Sequence, residues 1–249
     1  MIEGLFLLGA GLVAGGLNAA AGGGSFVTIP ALVFAGVPPL SANTSSTVAL
    51  FPGTAASVYA YRLDVQPVGG TALRLLIALS LLGGWVGALL LLFTSPQNFE
   101  HLLPWLMLLA TLVFAVGAKV GLLLRRARGV PGRRAIAVMQ FLFGVYGGYF
   151  GGAVGLMMMG LWMVLGATEV RPMTATKTVL VGATNATSVV CFVVAKQVWW
   201  TETACVLAGA LCGGYFGARL VRRVPEVWLR RTITAFNVAM TIFFFSRDT

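Results

Sequence analysis

Between Glu3 and Arg62 the chain runs for 58 positions, residues 4–61, without one charged side chain. A water-soluble fold cannot hide such a run, because its surface needs polar residues. A bilayer accepts it, at about 20 apolar residues per helical pass. The run is too long for two plain passes and short for three. Gly22-Gly23-Gly24 and Pro38-Pro39 divide it into about 4–21, a short 25–36, and 43–61. At ~1.5 Å per residue the middle piece covers only about 18 Å. The hydrocarbon core is about 30 Å thick. The first two pieces are therefore expected to form a hairpin that dips in and returns, or a pair of broken helices.

Composition agrees. Of 249 residues 58% are hydrophobic and 10% charged, against about 25% charged in a soluble domain. Disorder and an ordinary globular enzyme are both excluded. The net charge of +10 is no nucleic-acid signal, since Lys and Arg lie at segment ends and read as topology determinants. Cys191, Cys205 and Cys212 sit in apolar runs and read as packing residues. The acidic start Met1-Ile2-Glu3 is unlike a cleavable signal.

Further spans are expected over about 75–94 and 102–118, before a basic loop holding Arg125, Arg126, Arg128, Arg133 and Arg134. The plan then recurs: about 135–150, a short 154–167, and spans over 178–195, 203–218 and 232–246. Gly15-Gly16 matches Gly147-Gly148, and Thr44 matches Thr176, at an offset of 132. Gly83-Gly84 matches Gly213-Gly214 at 130. Two related halves follow, 1–127 and 128–249. Five arginines in 125–134 and five more (Arg219, Arg222, Arg223, Arg230, Arg231) mark two cytoplasmic loops. The first-half counterpart of the second cluster, at 94–101, has no Lys or Arg. Equivalent loops thus face opposite sides, and both termini lie outside. The expected fold is an all-α, polytopic integral membrane protein of two inverted repeats, each a broken or re-entrant hairpin plus three transmembrane helices.

Two constellations carry functional chemistry. In the first half Gly22-Gly23-Gly24-Ser25 precedes Ser41-Ala42-Asn43-Thr44-Ser45-Ser46-Thr47. The glycines strip side chains from a turn at membrane depth, and a helix start with free amides attracts anions. The bland reading is tight helix packing with hydroxyls bonded back to their own helix. In the second half Gly151-Gly152-Ala153-Val154-Gly155 precedes Thr174-Ala175-Thr176-Lys177-Thr178 and Asn185. Lys177 is either an anion ligand or a snorkelling interface residue. The expected substrate contacts are Gly23, Gly24, Ser25, Asn43, Thr44 and Ser45 from one half, and Gly152, Gly155, Thr176, Lys177 and Asn185 from the other. No catalytic residue, metal site or cofactor is expected: every carboxylate lies at a segment end, and the lone histidine, His101, lies in a loop. Gly83-x-x-x-Gly87 and Gly213-x-x-x-Gly217 are close-packing motifs, used within one protomer or, alternatively, for a homodimer.

The glycine turn, short segment, proline and Ala42-Asn43-Thr44-Ser45 stretch, with a second copy at Ala175-Thr176-Lys177 and Asn185, resembles the sulfite exporter TauE/SafE family, also called the toluene sulfonate uptake permease family. The resemblance covers essentially the whole chain. It implies a permease of the cytoplasmic membrane carrying a sulfur-containing oxyanion such as sulfite, or an organosulfonate. Alternating access is expected from rocking one repeat against the other, with a proton or sodium as the candidate coupling ion, which the sequence does not name. A passive anion channel and a non-transporting scaffold are the alternatives. In the second half Val154-Gly155-Leu156 and Met157-Met158-Met159 stand where the family often keeps more glycines, so the first hairpin is expected to make more of the substrate contact.

Overall fold

The computed structural model describes residues 2–21, 23–68, 70–128, 132–152, 154–164 and 170–221, with isolated positions between 235 and 245. For residues 19–21, 113–128, 156, 160, 161, 163, 164, 170–172 and 216–221 it describes the backbone alone. The described elements are α1 (Ile2–Ala21), α2 (Ser25–Phe34), α3 (Pro39–Tyr61), α4 (Leu73–Phe93), α5 (Pro96–Arg128), α6 (Arg133–Phe150), α7 (Val154–Val164), α8 (Val170–Val194) and α9 (Trp200–Val221). No strand occurs among the described residues beyond an isolated bridge between Val68 and Thr71. The span expected over 232–246 and the arginines of 219–231 fall outside this description.

Local chemistry sets the breaks. Pro39 opens α3 at its first turn, where its missing N–H costs nothing. Gly151 ends α6 with φ +75°, a left-handed backbone that a side chain would strain. The two hairpins each join a long helix to a short one. At ~1.5 Å per residue, α1 and α6 reach about 30 and 27 Å, while α2 and α7 reach about 15 and 16 Å. The start of α3 lies four residues earlier than the sequence indicates, because Pro39 itself begins the helix.

Burial is arranged for lipid. Leu5, Phe6, Leu82, Trp85, Phe93, Leu142, Val190 and Val194 are exposed, whereas Thr44, Ser45, Ser46, Ser80, Gln140, Thr184 and Ser188 are fully buried. Water would favour the reverse, whereas hydrocarbon favours this arrangement. Leu73–Phe93 and Met173–Val194 are long and apolar enough to cross a membrane. The protein is a multi-pass membrane protein.

Glycines set the closest helix contacts. α1 and α9 run side by side in the same direction, with Gly11 and Gly15 against the backbone of Val206 and Ala210, and Gly209 and Gly213 against Leu8 and Leu12. α4 and α6 do the same, with Gly83 against Phe141 and Gly144, and Gly87 against Val145 and Tyr149. Gly83, Gly87 and Gly213 therefore pack within one protomer; Gly217 lies outside the described side chains. α3 and α8 cross antiparallel, with Thr44 beside Gln197, Gly182 beside Thr54 and Val58, and Thr176 beside Gln66.

Candidate functional site

The antiparallel α3–α8 pair forms the wall of a cavity of about 60 Å³. That is room for a few waters or one small oxyanion. One face of α3 contributes Thr47, Leu50, Thr54, Ser57 and Tyr61, at helical spacing. α8 contributes Thr174, Lys177, Thr178, Val181 and Asn185. The hairpins close the rest with Asn18 and Ser25 on one side, and Gly151 and Gly155 on the other.

Lys177 dominates the electrostatics. It is 8% exposed, and no hydrogen bond or ion pair of its ammonium is seen among the described residues. Its stem passes over Gly155, where a Cβ would come within 2.9 Å of Cδ. The missing side chain at 155 thus makes the groove in which the lysine lies. A buried cation without a protein partner is costly unless an anion or water answers it.

The polar walls divide by hydrogen-bonding capacity. Lys177, Asn185, Asn18 and Ser25 offer donors from α8, α1 and α2. The α3 hydroxyls differ. Thr47 donates to the Asn43 carbonyl at 3.0 Å, Thr54 to Leu50 at 3.2 Å, and Ser57 to Gly53 at 2.9 Å. With their protons held by their own helix, these oxygens keep lone pairs for whatever enters. Thr178, on α8, is committed in the same way to the Thr174 carbonyl at 2.7 Å, so the cavity sets acceptor hydroxyls from both helices around the donors Lys177, Asn185, Asn18 and Ser25.

Ser25, Gly155, Lys177 and Asn185 meet in the cavity wall. The remaining expected contacts lie off it. Gly24 packs against Ala14, Asn18 and Leu50, and Gly23 lies beside Phe26. The amides of Phe26, Val27 and Thr28 return to the Gly23 and Gly24 carbonyls, leaving the start of α2 fewer free N–H groups than a bare helix end. Gly152 lies against the Phe150 ring. Thr44 donates to the Gln197 carbonyl at 2.5 Å, and Ser45 accepts from the Trp199 amide at 3.0 Å. Asn43 Nδ2 donates to the Tyr149 carbonyl at 2.9 Å. Thr176 both donates to the Gln66 carbonyl, at 2.9 Å, and accepts from its amide, at 3.0 Å. Thr44, Ser45 and Thr176 thus tie the starts of α3 and α8 to distant loops, and Asn43 ties α3 to the last turn of α6.

The sequence reading missed Asn18, Thr54, Ser57 and Tyr61. Asn18 carried the signal that singled out Asn185, an amide inside an apolar helix. The α3 hydroxyls carried a weaker one, their recurrence on one helical face.

Residues 7–244 match the profile of the family described as sulfite exporter TauE/SafE. The chain belongs to that family. Among similar proteins, a probable membrane transporter protein of Haemophilus influenzae is 29% identical over 232 residues, 93% of this chain and 90% of its own length. The probable membrane transporter protein YfcA of Escherichia coli is 28% identical, covering 92% of this chain and 85% of its own length. The probable membrane transporter protein ORF9 of a Sinorhizobium species is 27% identical, covering 95% and 90%. No solved structure matches this TauE/SafE chain.

Proposed function

We propose that this membrane transporter carries a small sulfur oxyanion, sulfite or an organosulfonate, through the α3–α8 cavity by alternating access. The observation that carries the reading is Lys177: a residue 8% exposed, its ammonium unpaired among the described residues, in a cavity wall that also holds Asn185, Asn18 and Ser25. An oxyanion there would gain charge-assisted hydrogen bonds in place of its hydration. The family description supports sulfite as the first substrate to test.

Alternating access needs two ends that open in turn. Thr44–Gln197, Ser45–Trp199 and Asn43–Tyr149 bonds cluster at one end of the α3–α8 pair, and the Thr176–Gln66 pair of bonds at the other. Their equivalence supports two inverted repeats, 1–127 and 128–249. So do the matching parallel pairs α1–α9 and α6–α4. Tyr61 and Thr174 lie toward the Gln66 end, next to Arg62. By the positive-inside rule that end is the cytoplasmic one.

The test is flux into liposomes holding the purified protein, with sulfite, an organosulfonate, sulfate and thiosulfate, under proton or sodium gradients. Saturable flux of sulfite or the sulfonate is expected. No flux of any of the four would overturn the proposal. A non-saturating anion current independent of both gradients would make the protein a channel.

A further inference from the structure

Asn43 sits one turn before Thr47 on α3 and is 1% exposed. Its Nδ2 is bonded to the Tyr149 carbonyl, so its planar carboxamide lies against the last turn of α6. Its Oδ1 is buried and has no hydrogen-bond partner. A buried carbonyl oxygen left unmet costs about 1–3 kcal/mol. In a native protein such a group commonly answers to an ordered water or an ion.

The neighbourhood selects between these. The last four carbonyls of a helix have no intrahelical partner and carry partial negative charge. At the ends of α2 and α4 the capping amides of Ala35 and Thr94 turn back to those carbonyls. At α6, which ends at the left-handed Gly151, no returning bond from the Gly151 amide is seen among the described residues. Thr47 Oγ1 lies close by, 3.0 Å from where a Gly151 Cβ would stand, with its proton held by the Asn43 carbonyl. Asn43 Oδ1, Thr47 Oγ1 and the end of α6 therefore bring together neutral oxygens with spare lone pairs, and the nearest amide donor, Asn43 Nδ2, is already committed to the Tyr149 carbonyl.

We propose that this pocket of oxygens, where α6 breaks before α7, binds one sodium ion. Hard cations take oxygen ligands, and a helix C-terminus at a membrane break favours a cation. No carboxylate is among these ligands, so a monovalent ion fits and a divalent one would be left undercompensated. Amides, hydroxyls and peptide carbonyls do not titrate near neutrality, so the pocket does not hold a proton. Thr47 and Gly151 also line the α3–α8 cavity. An anion against Lys177 and a cation behind Thr47 would share one wall, and each would favour the other's binding. At the repeat offset of 132 Asn43 corresponds to Ala175, so the other half lacks the amide and a single ion is expected. The coupling rests on the transport reading; the ion binding does not.

The experiment is thermal unfolding of the purified, detergent-solubilised protein at fixed ionic strength in sodium, potassium or choline chloride, with no sulfur anion. A saturable rise in Tm with sodium is expected, lost in Asn43→Ala. Asn43→Asp should fold and lower the half-saturating sodium concentration roughly 10-fold, because a carboxylate binds the ion more strongly than an amide. Equal melting in all three salts overturns the proposal. So does a sodium shift that Asn43→Ala and Asn43→Asp leave unchanged. Should sulfite flux be absent while the sodium shift behaves as stated, the substrate reading fails and the ion site stands.

Discussion

The Lys177 stem lies across Gly155, close enough that a methyl group at 155 would stand 2.9 Å from Cδ and 3.2 Å from Cγ. Gly155 belongs to the first turn of α7 and Lys177 to the second turn of α8, so the hairpin helix sets where the ammonium sits. In Gly155→Ala the lysine must move, at little cost in stability because its chain is flexible and alanine favours a helix by up to about 1 kcal/mol. The expected outcome is a raised half-saturation concentration for the anion with unchanged melting. Concentration-dependent uptake beside a melting curve checks both. Unchanged uptake kinetics would detach Gly155 from the site.

Lys177 itself should separate stability from function. A buried charge without a partner destabilises the protein that holds it. Lys177→Met keeps the apolar stem, so its Tm should match or exceed that of the parent. The lost charge-assisted contact, about 1.5–3 kcal/mol, should weaken anion binding by roughly 10- to 100-fold. Lys177→Arg should retain part of it. Wild-type affinity in the methionine variant would show that the lysine serves no bound anion.

Much of the architecture was legible because lipid imposes simple rules. The uncharged runs located most of the helices, and Gly22–Gly24 and Gly151 located the breaks. α5 departs from the expected 102–118, running from Pro96 to Arg128, so that His101, Arg125, Arg126 and Arg128 lie in the helix rather than in loops. The site was only partly legible. Lys177 and Asn185 stood out because an apolar helix has no local use for them. Thr44 and Thr176 looked the same as cavity donors, yet their hydroxyls meet Gln197 and Gln66, far along the chain. A hydroxyl in sequence does not reveal which of its neighbours is a ligand and which a backbone carbonyl. Asn43 was picked as an anion contact, while its free atom is an acceptor, a polarity that only the Tyr149 bond discloses.

The α1–α9 seam offers a stability test. A Cβ on Gly213 would overlap the Leu12 carbonyl oxygen, a backbone atom that cannot step aside. Gly9, on α1, has nothing within 4 Å of its own Cβ position. Gly213→Ala should destabilise by about 1–3 kcal/mol, as overpacking does. Gly9→Ala should be neutral or stabilising by up to about 1 kcal/mol. Melting of both variants in one detergent decides. Similar stabilities would mean that the seam is not built as described.

The two loop ties predict opposite changes in access. Thr176→Val preserves shape but strips both bonds from Gln66, leaving its amide and carbonyl to water. Thr44→Val strips the bond to the Gln197 carbonyl. Each should cost about 1–3 kcal/mol in the closed state of its own end, which favours opening there by roughly 10-fold or more. The reporter is a cysteine at Ser57 in the cavity wall, in a background lacking Cys191, Cys205 and Cys212, labelled by an impermeant maleimide. Thr176→Val should speed labelling from the cytoplasmic side. Thr44→Val should speed it from the outside and slow it from the cytoplasmic side, because one cavity cannot face both ways at once. If both substitutions changed labelling from the same side, the two ties would not be the two ends of one pathway.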